Sequence, residues 1–448
     1  MQHKHADLAA WLEQIERMHP RGEAGIELGL ERVALVAAEL RQTERLADKP
    51  ILTVAGTNGK GSVVTYLSNI LDRAGYRVGT YTSPHLVHFN ERIRLNGNPA
   101  DDVAITAAFE TVEAARAATG VSLTYFEFTT LAAMEVFLAA DADVLVLEVG
   151  LGGRLDAVNL YDPAVAIITG VALDHQDYLG DTREAIALEK IGVGRAGRPI
   201  VIAEPDMPVV ALKRLAEQGA IVYLIGDAFG FEPLPGEEGK PSIQWRYWLR
   251  KPGTPVESIL RRGGLAYPGL RGKIQLRNAA AAMTAIECLQ DCLPVAMGAI
   301  RRGLLEAELA GRFQVIPGPP DLVLDVAHNP EAAGILASNL GQLAFAHTQH
   351  GVLGMMADKD LVGVLKPLLK QISRWYLAPV ASPRSATAAQ LQTVLLSLGV
   401  PAAQITCFEK PAAAYAAARK TASESDRIVA FGSFLTVADV LRDLGRTA

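Results

Sequence analysis

The sequence predicts two α/β domains, the first doubly wound with a small antiparallel insert. Three observations point there. Short apolar runs such as Asp143-Val-Leu-Val-Leu-Glu148 alternate with helical patterns, as parallel strands covered on both faces require. A glycine-rich turn joins the first such run directly to a helix. Around Gly311 to Pro320 the composition shifts, with Pro317, Gly318, Pro319 and Pro320 clustered, and a fresh α/β series follows. The domains are therefore expected at 1–309 and 310–448.

Taken in order, residues 8–18 read as an amphipathic helix with Leu8, Trp11, Leu12 and Ile15 on one face. A break at His19 to Gly25 precedes Glu27-Leu-Gly-Leu-Glu31-Arg32-Val33, which leads into a helix to about Leu46. Ile51 to Ala55 is a short buried strand, and Val63, Tyr66, Leu67 and Ile70 mark the helix after its glycine turn. Arg77 to Tyr81 is a second strand. Pro84 then keeps Thr82-Ser83-Pro84-His85-Leu86 a loop. Further strands are read at 143–149, 163–171, 200–203 and 221–225, with a helix beginning near Asp181, where Asp181 and Glu184 resemble a capping pair. Between 231 and 270 prolines and glycines crowd, and Ile243 to Leu249 alternates with period two, predicting the antiparallel insert. A helix from Leu276 to Cys292 follows. The second domain is expected to hold strands near 322–326, 351–355, 376–380 and 427–431.

Half of the 448 residues are apolar and 21% are charged, a globular composition. A net charge of -6 argues against a general nucleic-acid binder while permitting a local basic pocket. Three cysteines supply neither a disulfide framework nor a structural zinc site, and Cys288 and Cys292, one helical turn apart, are expected as small buried side chains. With no apolar core in Met1 to Pro20 and no run long enough to span a bilayer, a cytoplasmic chain is expected.

Strand, glycine turn with lysine, then helix is the plan of a phosphate cradle. Main-chain N–H groups and the helix N-terminus face the anion, and Lys60 adds a full charge. The loop Gly56-Thr-Asn58-Gly59-Lys60-Gly61-Ser62 is shorter than the common P-loop, which would need a glycine where Val54 stands. A βα turn that binds nothing is the rival, but lysine between two glycines favours the cradle. Glu148 ends an apolar strand beside a glycine-rich loop, and Ser83 and His175 each lie just beyond other strands. In a doubly wound sheet such ends converge, so these three side chains could share one divalent ion. Lys190, bracketed by Leu188 and Ile191, is either a snorkelling surface lysine or a functional one whose proton affinity is lowered by burial and nearby cations. In Asp325-Val-Ala-His328-Asn329-Pro330 the last two can be spent on a helix start, leaving Asp325 and His328. Arg312 is either a solvated linker charge or a fork reaching phosphate.

Together these stretches resemble the Mur-type ATP-dependent amide ligases, and more narrowly the bacterial dihydrofolate synthase/folylpolyglutamate synthase family. The resemblance rests on the glycine loop, Thr82 to Leu86, Thr124-Tyr-Phe-Glu-Phe128, Glu148 to Asp156, Leu173-Asp-His175, Leu179-Gly180, Glu189-Lys190, Asp325 to Pro330 and Gly432-Ser-Phe434. It implies an N-terminal doubly wound P-loop ATPase domain with a small antiparallel β insert, plus a C-terminal Rossmann-like α/β domain. Asn58, Gly59, Lys60, Gly61, Ser62, Asn278, Arg312 and Asp325 would contact ATP, and Ser83, Glu148 and His175 would ligate Mg2+. Lys190 would be carbamylated by CO₂, and Lys60, Lys190 and His328 would be the catalytic residues. The pterin substrate would meet Leu30, Glu31, Arg32, the loop after Ser83, Thr124, Tyr125, Phe126, Leu155, Asp156 and Ala157. The implied reaction joins L-glutamate to 7,8-dihydropteroate and further glutamates to reduced folates through an acyl phosphate, protected as the two domains close. A monomer without nucleic-acid or membrane partners is expected. A cell-wall Mur ligase is a rival, although only about fifty residues precede the loop where a nucleotide-sugar domain would stand. An NTP-driven switch is another, but it would leave Glu148, His175, Lys190 and the second domain unexplained.

Overall fold

The computed structural model describes residues 7–19, 27–235, 244–255 and 258–446. Most of the predicted break at His19 to Gly25, and Ile243 of the alternating stretch, lie outside them. Seventeen strands are described: β1 Ile51–Ala55, β2 Val78–Tyr81, β3 Ile93–Leu95, β4 Asn98–Pro99, β5 Val144–Glu148, β6 Val165–Ile168, β7 Pro199–Ile202, β8 Ile221–Leu224, β9 Phe229–Pro233, β10 Gln244–Leu249, β11 Leu260–Ala266, β12 Gln314–Ile316, β13 Asp321–Asp325, β14 Gln349–Leu353, β15 Arg374–Leu377, β16 Ile405–Cys407 and β17 Arg427–Phe431. They build sheets of eight, three and six strands, ordered β4-β3-β2-β5-β1-β6-β7-β8, β11-β10-β9 and β12-β13-β17-β14-β15-β16.

Two compact units result. One takes the residues up to Ser83, Asn90–Gly269 and Leu276–Ala307; the other takes Pro84–Phe89, Leu270–Gln275 and Glu308 onward. In the first unit β2, β5, β1, β6, β7 and β8 run parallel, so their carboxyl ends share one edge. Both β1 and β5 are buried along their whole length, which explains their unbroken apolar runs. The antiparallel insert is present, and the period-two reading of β10 is explained by Trp245, Tyr247 and Leu249 facing inward. Tyr247 shares a hydrogen bond with Thr284 at 3.0 Å, so this inward row is tied to the helix Ile274–Cys288.

The second unit's sheet is parallel except for β12, and successive residues serve opposite faces. Val323, Leu353, Val429 and Phe431 enter one core. Leu322, Leu324, Val352, Ile428 and Ala430 enter the other, together with Leu86.

Several boundaries differ from the sequence reading. The single helix expected to run to about Leu46 is instead two, Glu31–Glu39 and Gln42–Arg45, with Arg41 left-handed at φ 52°. The turn brings fully buried Gln42 inward, where its amide donates to Leu131 O and Glu135 and accepts from Tyr161 Oη at 2.6 Å. The helix near Asp181 is Arg183–Ile191, and its N-cap is Thr182, whose hydroxyl accepts from Ala185 N. The helix expected to reach Cys292 ends at Cys288, which leaves Cys292 in a turn and exposed rather than buried.

The helix Met297–Leu305 lies against Lys60–Arg73, the helix that follows the glycine loop. Gly303 makes the approach possible, because a Cβ there would stand 2.6 Å from the Ile70 backbone. Gly303→Ala is expected to cost about 1–3 kcal/mol through overpacking, measured as lower thermal and denaturant midpoints. Unchanged midpoints would show that the two helices separate freely.

Candidate functional site

The glycine loop leaves β1 at Gly56. Its φ is +151°, and a side chain there would place Cβ 2.0 Å from Thr169 Oγ1, so no larger residue fits. Thr169 instead donates to Asn58 O at 2.6 Å, while Thr57 N donates to Gly170 O at 2.9 Å. Gly59, at φ +89°, is the N-cap of Lys60–Arg73, and a Cβ on it would stand 3.1 Å from Asn278 Oδ1. Lys60 folds back over its own loop, its Nζ donating to Gly56 O at 3.0 Å and Thr57 O at 3.3 Å. Gly61 and buried Ser62 continue the first helical turn, whose amide ends and dipole suit an anion. Asn58, Gly59, Lys60, Gly61, Ser62 and Asn278 thus stand around one loop.

Lys190 is the last but one residue of the helix Arg183–Ile191 and has only 3% of its surface exposed, which excludes the snorkelling alternative. Burial, and after it the like charge of Lys60, lowers its ammonium to about 7, with Asp174 and Asp156 acting in the opposite sense. Glu148 is 5% exposed, and its Oε2 lies 3.4 Å from Ser83 N. His175 is left-handed at φ 51°, caps the short helix Gln176–Leu179 and holds Nε2 3.9 Å from Asp174 Oδ1. Among the described residues no group of three or more His, Cys, Asp or Glu side chains is gathered as a metal site.

The segments expected to meet substrate come together within the first unit. Gly29 N donates to Leu155 O at 3.3 Å, joining the Leu30–Arg32 stretch to Leu155–Ala157. Leu30 is the N-cap position of Glu31–Glu39, Glu31 is exposed, and Arg32 pairs with Glu27 and, at 3.0 Å, with Glu127. Thr124 caps the helix Tyr125–Ala139 through a reciprocal box with Glu127. The Arg92 guanidinium lies 5.4 Å from the Tyr125 ring centroid. Phe126 presses against Gly150 and sits 5.9 Å from Tyr81, ring centre to ring centre. Asp156 accepts from Leu151 N at 2.9 Å and Val158 N at 3.0 Å, and burial pushes its carboxyl up to about 6 against the pull of those amides and Lys60. Ala157 opens the short 3-10 turn behind it.

In the second unit, Asp325 ends β13 and receives Ala327 N at 2.8 Å and Phe313 N at 2.9 Å. Burial drives its carboxyl up to about 6, offset by those amides and by the charges of Arg312 and His328. The Arg312 guanidinium stacks 4.8 Å from the Phe434 ring centroid, so it is not a plain linker charge. His328 Nδ1 donates to Val326 O at 2.9 Å, since a carbonyl can only accept. Asn329 is spent capping Pro330–Leu340.

Sequence reasoning gave no role to Thr57, Thr169, Arg183 or Glu204, whose hydrogen bonds join separate loops. Glu127 carried a local signal, because Thr124-x-x-Glu127 ahead of an apolar run is a capping box.

Comparison with known proteins matches both units of the chain to one family. The Mur ligase middle domain matches residues 54–227, and the Mur ligase glutamate ligase domain matches residues 311–434. The dihydrofolate synthase/folylpolyglutamate synthase of Escherichia coli (strain K12) is 40% identical over 435 residues, 97% of this chain and 94% of that protein. Among solved structures, E. coli FolC in complex with DHPP and ADP superposes with a TM-score of 0.87 at 39% identity, covering 98% of each chain. A bifunctional folylpolyglutamate synthase/dihydrofolate synthase with Mn, AMPPNP and L-glutamate bound gives 0.85 at 41% identity, again over 98% of each chain. With both units matched nearly end to end, the chain belongs to the dihydrofolate synthase/folylpolyglutamate synthase family of Mur ligases.

Proposed function

We propose that the protein is an ATP-dependent amide ligase that joins L-glutamate to 7,8-dihydropteroate and then adds glutamates to reduced folates. The observation that carries this reading is the continuous match of both units to relatives so named, at 40% identity over 97% of the chain. A cell-wall Mur ligase or a bare NTP switch would not share that length with folate enzymes. No described helix is long and apolar enough to cross a membrane. A net charge of -6 and three free cysteines support a cytoplasmic chain without nucleic-acid partners, and the family resemblance is the ground for expecting a monomer.

Amide formation from a free carboxylate is uphill, so the substrate carboxylate oxygen attacks the γ-phosphorus of ATP and the bond to the ADP oxygen breaks. The glutamate nitrogen then attacks the acyl carbon, losing a proton as phosphate departs. Lys60 and the amides of Asn58 to Ser62 would stabilise charge on the transferred phosphoryl group, with Asn278, Arg312 and Asp325 as further ATP contacts. Ser83 and Glu148 offer the hard oxygen donors that suit Mg2+, with the His175 imidazole as a softer nitrogen ligand beside them; the bound ion would neutralise phosphate charge. Leu30 to Arg32, Thr124 to Phe126 and Leu155 to Ala157 would seat the pterin, and His328 would act near the reacting phosphate. Lys190 would add to CO₂ as its neutral amine, forming an N–C bond and releasing a proton, so that a buried cation becomes an anion.

Incubation with ATP, magnesium, glutamate and either dihydropteroate or tetrahydrofolate is expected to yield products heavier by one or more glutamyl residues, read by mass spectrometry. ATP hydrolysis that is indifferent to both co-substrates would instead favour the switch. Lys190→Ala is expected to lose at least about a hundredfold in kcat, partly recovered by added formate or acetate. Full activity in that variant would remove the carbamate. Because the amine is neutral above about 7, CO₂-stripped enzyme at fixed dissolved CO₂ should reactivate faster at pH 8 than at pH 6.

A further inference from the structure

Glu204 stands just beyond β7 and is 6% exposed. Its Oε2 accepts from Val171 N at 3.0 Å and its Oε1 from Asp206 N at 3.1 Å. Arg183, the first residue of the helix that carries Lys190 near its end, holds Nη2 3.3 Å from Glu204 Oε1. The same guanidinium donates through Nε to Val171 O at 3.0 Å and through Nη2 to Asp206 O at 3.1 Å. One ion pair thus grips both the N–H and the C=O of Val171.

Val171 is flanked by the two residues to which the glycine loop is tied. Gly170 O accepts from Thr57 N at 2.9 Å, and Ala172 N donates to Thr57 Oγ1 at 3.1 Å. Thr57 Oγ1 also donates to Ala172 O at 3.2 Å. A partly exposed ion pair contributes little through Coulomb attraction alone, and the Arg183 side chain is 40% exposed. Its distinguishing feature is where its hydrogen bonds end: on backbone that lies between the β7 end, the Lys190 helix and the phosphate loop.

We propose that Glu204 and Arg183 are positioning residues for the phosphate loop. The pair fixes Val171, and through Gly170 and Ala172 it sets where Thr57, Asn58 and the anion-facing amides stand. The inference rests on the ligase reading above. Atoms misplaced by about 1 Å near a reacting group can cost up to about a hundredfold, so a small shift of this clamp should be visible in nucleotide binding.

The test uses the full chain as Arg183→Met, Arg183→Lys, Glu204→Gln and the Arg183→Met/Glu204→Gln double variant. Steady-state kinetics with each substrate varied are combined with ADP titration by calorimetry in the absence of folate. The KM for ATP and the Kd for ADP are expected to rise about tenfold in Arg183→Met and Glu204→Gln, with the KM for folate within about twofold. Arg183→Lys should recover part of the loss, and the double variant should be no worse than the worse single one, because the two side chains act as a unit. Unchanged ADP affinity in folded Arg183→Met would overturn the proposal, as would a fall in thermal midpoint with every KM intact. Should Glu204→Gln fail to fold, Arg183→Met, whose side chain is half in solvent, decides alone. A wild-type chain that binds ADP but makes no glutamylated product would defeat the ligase reading while leaving the clamp to be judged by calorimetry.

Discussion

The contact between Gly56 and Thr169 governs what the first unit can do. β1 and β6 are neighbours in register, with Ala55 opposite Ile168, so the chains leaving them must share one narrow space. Thr169 fills it with a hydroxyl that donates to Asn58 O, and Gly56 gives way by having no side chain. The loop is thereby tied to the strand beside it rather than held only by its own turn. Lys60 can then curl over the loop, and its charge reaches Lys190 near the ends of the sheet. A lysine only 3% exposed with another cation nearby is costly to keep charged, which turns an ordinary surface residue type into a candidate nucleophile toward CO₂.

Much of the fold was legible because burial and sequence pattern agree. The parallel strands of the first unit are covered on both faces and read as apolar runs, while β10 alternates because its insert buries one face. The strands that escaped notice, β3, β4, β12 and β16, are two or three residues long, and β4, β12 and β16 lie at sheet edges. Such edges carry polar, partly exposed residues and leave no periodic signal to read. The break at Arg41 was hidden for another reason: it serves the buried amide of Gln42, whose partners Leu131, Glu135 and Tyr161 come from far along the chain.

The site was legible where a residue type is costly without a job, as with lysine between glycines or a carboxylate closing an apolar strand. It was not legible where meaning depends on a distant neighbour. Glu204 reads as one more acid after a strand until Arg183 and Val171 are placed beside it. Arg312 reads equally as a linker charge or a phosphate fork until Phe434, more than a hundred residues on, is seen to lie beneath it. Lys190 left two readings open, and its depth decided between them, since periodicity alone could not fix how far the helix sinks.

The route of the chain between its two units has an evolutionary consequence. Leu86, encoded within the first fifth of the sequence, completes a core otherwise built from residues beyond 308. Recombination at a single joint near residue 310 would therefore deliver a glutamate-ligase module missing an aliphatic plug of its own interior. Exchange of modules among such enzymes must carry the Pro84–Phe89 excursion along with the C-terminal half, so that the two halves of the gene drift as partners.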